Sequence, residues 1–234
     1  MKNKLTVFLT VVLMSFSTSA FAFEGFSLGA TYSSIDYSTS GKETHANGTN
    51  ALSTITSTTK NGSADVGSIF AEYTFSQGST IGIDYISGSA EIGKATSASR
   101  TSTQAASGNN SGADGSVTAS ASVKDPLTIY FEPTWMANDK FGLFLKGGIT
   151  SVTVSPKENA DAGSVTTSTY KDKDLYGRMM GVGAKYYMGN FFVKAEYVET
   201  DFDTYAHQST TGDKNTITAD IDTEETRLSI GYNF

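Results

Sequence analysis

Cysteine is absent from this chain of 234 residues, and histidine and proline are scarce, with two and three residues. Without cysteine the chain has no disulfide scaffold, no thiolate nucleophile and no cysteine-ligated metal centre. Two histidines are too few for a multi-histidine metal site. After the first twenty residues, no apolar run reaches the ~18 residues that a membrane helix needs. The net charge of −7 argues against a nucleic-acid partner, which would require a basic face.

The N-terminus has the three parts of a secretory signal peptide. Lys2 and Lys4 form a short positive region, and residues 5–16 are mainly apolar. Small polar residues follow, and then 20–22 read Ala-Phe-Ala, which matches the A-x-A cleavage pattern. We predict that residues 1–22 are a cleaved signal peptide and that 23–234 form one mature domain. Such a domain is exported beyond the inner membrane.

The mature chain alternates between apolar and polar residues in segments of the length of membrane strands. We predict eight strands, at about 26–36, 65–75, 81–85, 127–135, 141–150, 180–186, 191–197 and 225–234. Links after even-numbered strands have about four residues or fewer, and links after odd-numbered strands have roughly 15 to 40. This predicts an all-β, antiparallel, up-and-down transmembrane β-barrel with short periplasmic turns and long extracellular loops.

The longest link, at 87–124, leaves the number of strands open. Its flank at 117–123 still alternates, whereas its tip at 104–115 is of low complexity. We expect the neighbouring strands to rise above the membrane as a hairpin. The alternative is an additional strand pair, which would give a barrel of ten strands.

Charged residues on the polar side of the strands are nearly balanced. The predicted register directs five acids and four bases into the lumen: Glu72, Asp84, Glu132, Lys146, Lys185, Lys194, Glu196, Glu225 and Arg227. Charges in a small barrel must be paired, because an uncompensated buried charge costs several kcal/mol. We therefore expect a lumen filled by side chains and not a wide pore. The same alternation also fits a soluble sheet with one face in water.

The last seven residues, LSIGYNF, carry the most specific pattern in the sequence. An aromatic residue, Phe234, follows Leu228, Ile230 and Tyr232 at alternating positions. Here the chain resembles the Gram-negative outer-membrane β-barrel superfamily, and its size and loops are similar to the small eight-stranded group of outer-membrane protein A, outer-membrane protein X and Ail-type adhesins. The resemblance implies an outer-membrane location, with these four residues read by the barrel assembly machinery.

An acidic cluster continues the outward faces of the last two strands. Six carboxylates converge if these strands form a hairpin: Glu199, Asp201, Asp203, Asp220, Asp222 and Glu224. Because hard divalent cations take oxygen ligands, we hypothesise that this acidic rim uses Ca²⁺ or Mg²⁺ to contact lipopolysaccharide phosphates. Arg178 is then a direct phosphate partner. The alternative is a solvated rim that blocks strand addition, with no cofactor.

A search for catalytic residues finds none that we assign. Residues 25–29 match G-x-S-x-G, but no helix follows, so the context of a nucleophile elbow is absent. His45 and His207 lie in predicted long loops without a partner motif. We therefore expect a protein that is not an enzyme, although an outer-membrane lipid-modifying enzyme stays open as an alternative.

The expected function is a structural one at the cell surface, by adhesion or surface protection through the extracellular loops. We expect a monomer with both termini periplasmic, in contact with outer-membrane lipid and lipopolysaccharide and with an extracellular ligand at its loops. One alternative is a narrow porin-like conduit for small or apolar solutes. Another is a secreted adhesive sandwich that never enters a membrane.

Overall fold

The computed structural model describes residues 24–46, 52–76, 78–101, 114–162, 169–208, 210 and 216–234. The predicted signal peptide lies outside them. Across these ranges the regular elements are eleven strands: β1 (Gly25–Ala46), β2 (Leu52–Thr74), β3 (Thr80–Tyr85), β4 (Ser89–Thr101), β5 (Asp114–Glu132), β6 (Thr134–Met136), β7 (Phe141–Ala162), β8 (Lys173–Met188), β9 (Phe191–Phe202), β10 (Tyr205–Gln208) and β11 (Thr216–Asn233). The described part of the chain has no helix that is long and apolar enough to cross a membrane.

The eleven strands form an antiparallel ring with eight positions. Three positions are each made of two successive strands: β3 with β4, β5 with β6, and β9 with β10. Pro133 separates β5 from β6, because proline cannot donate a hydrogen bond to the ladder. Pairing of β11 with β1 closes the ring from Ser27↔Asn233 to Thr44↔Thr216. The chain is therefore an up-and-down barrel.

The strands are longer than the sequence predicted. β1 has 22 residues and β2 has 23, about twice the length that crosses a membrane. The predicted ends at 36 and 65 are wrong because these strands continue as polar ladders, in which both faces carry polar residues and the alternation disappears.

The hairpin after the third strand is confirmed as β4 and β5. Since β4 continues β3, it adds no position to the ring, and the ten-stranded alternative is wrong.

The two ends of the barrel differ. One end of the barrel carries the short connections: the turn between Phe75 and Ser79, the link 137–140 and the turn at 189–190. The start of β1 and the end of β11 lie at the same end, where the backbone N–H of Phe234 donates a hydrogen bond to the carbonyl oxygen of Phe26 at 3.0 Å. We call this the short-turn end. The long hairpins extend from the opposite end, which we call the long-hairpin end.

Apolar side chains face outwards in a belt between the short turns and the long hairpins. Phe26, Ile69 and Leu228 expose 67%, 66% and 60% of their surface. Trp135, Phe191 and Tyr232 lie towards the short turns, and Tyr32, Tyr85 and Tyr197 lie on the other border of this apolar belt. An apolar belt with aromatic residues at both borders is the surface that a transmembrane barrel presents to lipid.

Candidate functional site in the barrel lumen

Six buried charges cross the lumen within the apolar belt. We call Glu72, Glu132, Glu196, Lys146, Lys185 and Lys194 the charge network, and their side chains are each no more than 1% exposed. Glu132 contacts all three lysines: its oxygens lie 3.1 Å from Nζ of Lys146, 3.4 Å from that of Lys185 and 3.2 Å from that of Lys194. Three acids therefore neutralise three bases inside the barrel.

The other two carboxylates complete the charge network. Glu196 lies 3.0 Å from Lys146 and 3.3 Å from Lys194, whereas Glu72 contacts Lys194 and lies 3.6 Å from Lys185. The six side chains come from β2, β5, β7, β8 and β9, each at an inward position of its strand. Charges from five strands thus meet in one buried layer inside the barrel.

A second charged group lies on the long-hairpin side of this layer. Arg227 pairs with Asp84, and its Nε and Nη1 atoms lie 3.6 Å and 3.8 Å from carboxyl oxygens of Glu196 and Glu225. Asp84 and Arg227 are buried, and the side chain of Glu225 is 13% exposed. All nine charged residues that the sequence directs into the lumen therefore lie there.

Aromatic residues also line the lumen, although none of them is among the site residues that the sequence predicted. Tyr130 donates a hydrogen bond to Glu72 at 2.7 Å, and Nζ of Lys146 lies 3.9 Å from the centre of its ring. Phe70, Tyr187 and Phe192 form a buried cluster beside the charge network, where Nζ of Lys194 lies 4.6 Å from the centre of the Phe70 ring. Glycines on the neighbouring strands mark the positions of two of these rings, because Phe70 lies opposite Gly29 and Phe192 lies opposite Gly231. An inward ring needs a small residue beside it.

A cavity of about 330 Å³ lies beyond Arg227 towards the long hairpins. Its walls are largely apolar, and they include Ile35, Ile86, Val152, Met179, Phe202 and Ile221. Beyond it, a further buried cluster fills the interior of the long-hairpin end; we call Ile92, Val152, Val154, Leu175, Tyr205 and Ile221 the upper core. The cavity therefore lies between a charged floor and an apolar roof.

The acidic rim forms pairs across neighbouring strands. Asp201 lies opposite Asp222, Glu199 lies opposite Glu224, and Arg178 lies opposite Asp201. Burial and the charges of Asp201 and Asp220 raise the pKa of Asp222. Asp220 accepts a hydrogen bond from Thr204 at 2.6 Å, and Asp203 follows the end of β9.

Cation binding at the acidic rim stays a prediction. In the described ranges, no group of three or more His, Asp or Glu side chains is arranged to hold a metal ion. Four of the six carboxylates thus lie in two pairs across β9 and β11, and the prediction that all six converge is not met in the described ranges. The contacts of Arg178 and of the acidic rim with lipopolysaccharide phosphates also stay predictions.

The motif at 25–29 lies inside β1, where a strand continues in place of a helix. His207 lies on β10 with its ring 6.3 Å from that of Tyr205, whereas the side chain of His45 lies outside the described residues.

The four predicted assembly residues at the C-terminus face outwards with exposures of 36% to 74%. Their recognition by the assembly machinery stays a prediction.

Comparisons with known proteins agree with this architecture. The family model described as outer membrane protein beta-barrel domain matches residues 8–234. The solved structure of outer membrane protein OprG from Pseudomonas aeruginosa has a TM-score of 0.56 at 12% identity, covering 92% of this chain and 98% of that chain. Neisserial surface protein A has a TM-score of 0.44 at 14% identity, covering 88% and 99%. A search of curated protein sequences found no match.

The family match extends over nearly the whole chain and includes every described strand. The likeness to OprG shows the same fold in a solved structure. Both agree with the closed ring of eight antiparallel positions and with its outward apolar belt. The chain belongs to the family of outer membrane proteins that share this β-barrel domain.

Proposed function

We propose that this outer-membrane barrel acts at the cell surface, by adhesion or surface protection through its extracellular half, and that it is neither an open pore nor an enzyme. The observation that supports a closed lumen is the charge network, because its six buried side chains come from five strands and pair with one another inside the barrel. The proposal includes export by the signal peptide, periplasmic termini and a monomeric barrel.

The long-hairpin end supports this role by its construction. Strands β1, β2 and β11 continue well past the apolar belt as paired ladders, and the upper core fills the space between them. A buried apolar cluster stabilises the raised strands, because burial of each large apolar side chain contributes about 1.5–3 kcal/mol. The packed upper core therefore supports the hairpins above the membrane, where they can contact an external partner.

Conductance in planar lipid bilayers tests the closed lumen. We expect no steady current from the wild type. A variant in which all six residues of the charge network are replaced by alanine should conduct, because the replacement removes their side chains in equal numbers of each sign. Alanine at Glu199, Asp201 and Asp222, on the outer surface, is the control and should stay closed. A wild type that conducts as well as the six-fold variant would favour the porin-like conduit.

Removal of the β4–β5 tip tests the surface role. Residues 102–113 are replaced by a short Gly-Ser turn, since Thr101 and Asp114 on either side are paired. Cells that display this variant should adhere less to cultured cells, or survive serum less well, than cells with the wild type. A matched control lengthens the turn at 189–190 by the same Gly-Ser residues. Equal behaviour of all three strains in both assays would contradict the surface role of this hairpin.

A further inference from the structure

We propose that the cavity beyond Arg227 binds a small amphiphile with an apolar chain and a head group that donates hydrogen bonds, a hydroxyl or an ammonium. This site goes beyond the proposed surface role, which needs no ligand in the lumen. Three features carry the inference: the apolar walls, the polar floor and an opening in the side of the barrel.

The walls and the size fit an alkyl chain. The cavity holds about 330 Å³, near the lower limit of the ~300–1,000 Å³ that small-molecule sites span. Val152, Met179 and Ile221 are 4%, 2% and 4% exposed and line it from three strands. An apolar cavity of this kind gains little from water, which needs two to four polar partners. It therefore favours an apolar occupant.

The floor selects the head group. Oε2 of Glu225 is buried, has no hydrogen-bond partner within the described structure, and lies 3.8 Å from Nη1 of Arg227. A buried carboxyl oxygen without a partner costs free energy, which a donor on the ligand would recover. The charged residues lining the cavity are Asp65, Asp84, Glu225 and Arg227. Since Arg227 already pairs with Asp84, the remaining acids disfavour a carboxylate head.

A gap between β2 and β4 leads sideways into the cavity. The pairing of β2 with β3 ends at Ile69↔Tyr85, and among the described strands β4 pairs with β5 and not with β2. Asp65 and Gly67, which face outwards on β2, line the cavity together with Ser87 and Ser89. We call this opening the side window.

The backbone of β5 bends at Asp125, and the side chain of Asp125 holds the link between β3 and β4 at the edge of the side window. Asp125 has a left-handed backbone, with φ of 48°, and its Oδ1 accepts hydrogen bonds from the hydroxyl of Tyr85 and from N of Gly88, each at 3.2 Å. The pairing of β5 with β7 shifts at the same point. Tyr85 belongs to the outer border of the apolar belt, so the side window opens at the membrane interface, where amphiphiles accumulate.

Methionine methyl signals in NMR spectra test the site. Met179 lines the cavity, whereas its neighbour Met180 faces outwards and is 40% exposed. The barrel is placed in phosphatidylcholine nanodiscs with ¹³C-methyl methionine, and octylammonium, 1-octanol or octanoate is added. We expect the Met179 signal to shift and saturate with the first two probes and to respond at least about tenfold more weakly to octanoate. Met180 should respond in proportion to lipid loading with all three.

Two substitutions separate the head group from the cavity. Glu225→Gln should weaken octylammonium binding about tenfold and leave 1-octanol binding nearly unchanged, because a charge-assisted hydrogen bond is lost. Ile221→Phe fills the cavity and should abolish saturation, whereas Ile230→Phe, on the lipid face of the same strand, should not.

The wild type alone can overturn the proposal, even if Ile221→Phe fails to fold. Absence of a saturating Met179 response to every probe would refute the site. Octanoate binding as tightly as octylammonium would refute the assignment of the head group. Neither result bears on the closed lumen, since conductance reports the charge network and not this cavity.

Discussion

Glu132 and Lys194 meet inside the barrel, with Oε1 and Nζ 3.2 Å apart and both side chains at 1% exposure or less. Glu132 is the acid that all three lysines of the charge network share. Glu132→Ala would leave these cations without their common partner. We expect it to lower the free energy of unfolding by about 3–5 kcal/mol, the range for breaking a buried ion pair. Urea unfolding followed by the fluorescence of Trp135 measures it.

The matched control removes a carboxylate that water can replace. Glu199 is exposed on the outside of β9, and Glu199→Ala should change the free energy of unfolding by less than about 0.5 kcal/mol. If the two variants were equally stable, the charge network would not hold the barrel together.

Gly231 accommodates the ring of Phe192 from the neighbouring strand, and an added Cβ would overlap that ring. Gly231→Ala should therefore destabilise the barrel by about 1–3 kcal/mol, the usual cost of overpacking. Gly147→Ala is the control, since a Cβ there meets no atom within 4 Å. The same urea titration compares them. An equal midpoint for the two variants would show that Phe192 moves aside at no cost.

The sequence predicted the parts of this fold that follow from alternation. The inward positions of Glu72 and Lys185 and the outward positions of Leu228 and Ile230 all follow from period two within the apolar belt. The polar ends of β1 and β2 could not be predicted, because polar residues occupy both faces of these strands and leave no such period in the sequence. Tyr187 is buried in the lumen, and the sequence does not predict this, because aromatic residues suit both the lumen and the membrane border.

The cavity and the side window were also beyond the sequence. They depend on where the pairing of β2 with β3 ends, beside the left-handed backbone of Asp125, and no hydrophobic pattern marks that point. The contacts within the charge network likewise depend on the stagger of five strands around the ring. The alternation along each strand identifies which charged residues face inwards, but it does not identify which of them are in contact.

Asp222 gives the acidic rim a specific pH dependence. Burial and its neighbours Asp201 and Asp220 raise its pKa above the ordinary value. The folded protein therefore binds this proton more tightly than the unfolded chain, and the contribution of Asp222 to stability rises as the pH falls through the raised pKa. At pH 7 the charged form opposes folding, so Asp222→Asn should raise the urea midpoint.

The difference between Asp222→Asn and the wild type should shrink as the pH is lowered from 7 through the raised pKa of Asp222, because the carboxyl group then takes up its proton. Asp139→Asn changes the net charge equally in the link 137–140, and its midpoint should follow that of the wild type over this range. A difference that stays constant with pH would mean that Asp222 does not titrate in this interval.

Asp125 combines a left-handed backbone with two accepted hydrogen bonds. Asp125→Asn should be nearly neutral, because asparagine tolerates this backbone and keeps the accepting oxygen. Asp125→Ala loses both, and we expect it to cost about 1–2 kcal/mol in the free energy of unfolding. The amide exchange rate of Gly88 gives a local measurement, since its N–H loses its acceptor. Equal exchange in both variants would contradict a role of the Asp125 side chain at the bend.

The pairing of the first strand with the last has a kinetic consequence. Ser27 and Asn233, which hydrogen-bond across this seam, are 206 positions apart in the sequence, whereas the other seams join neighbours along the chain. Hairpins can therefore form early, but the seam between β1 and β11 must wait for the two ends of the chain to meet, and such distant pairings make folding slow. Until that moment the sheet has two open edges, each able to pair with another chain. The last step of folding is thus also the step at which aggregation competes most strongly.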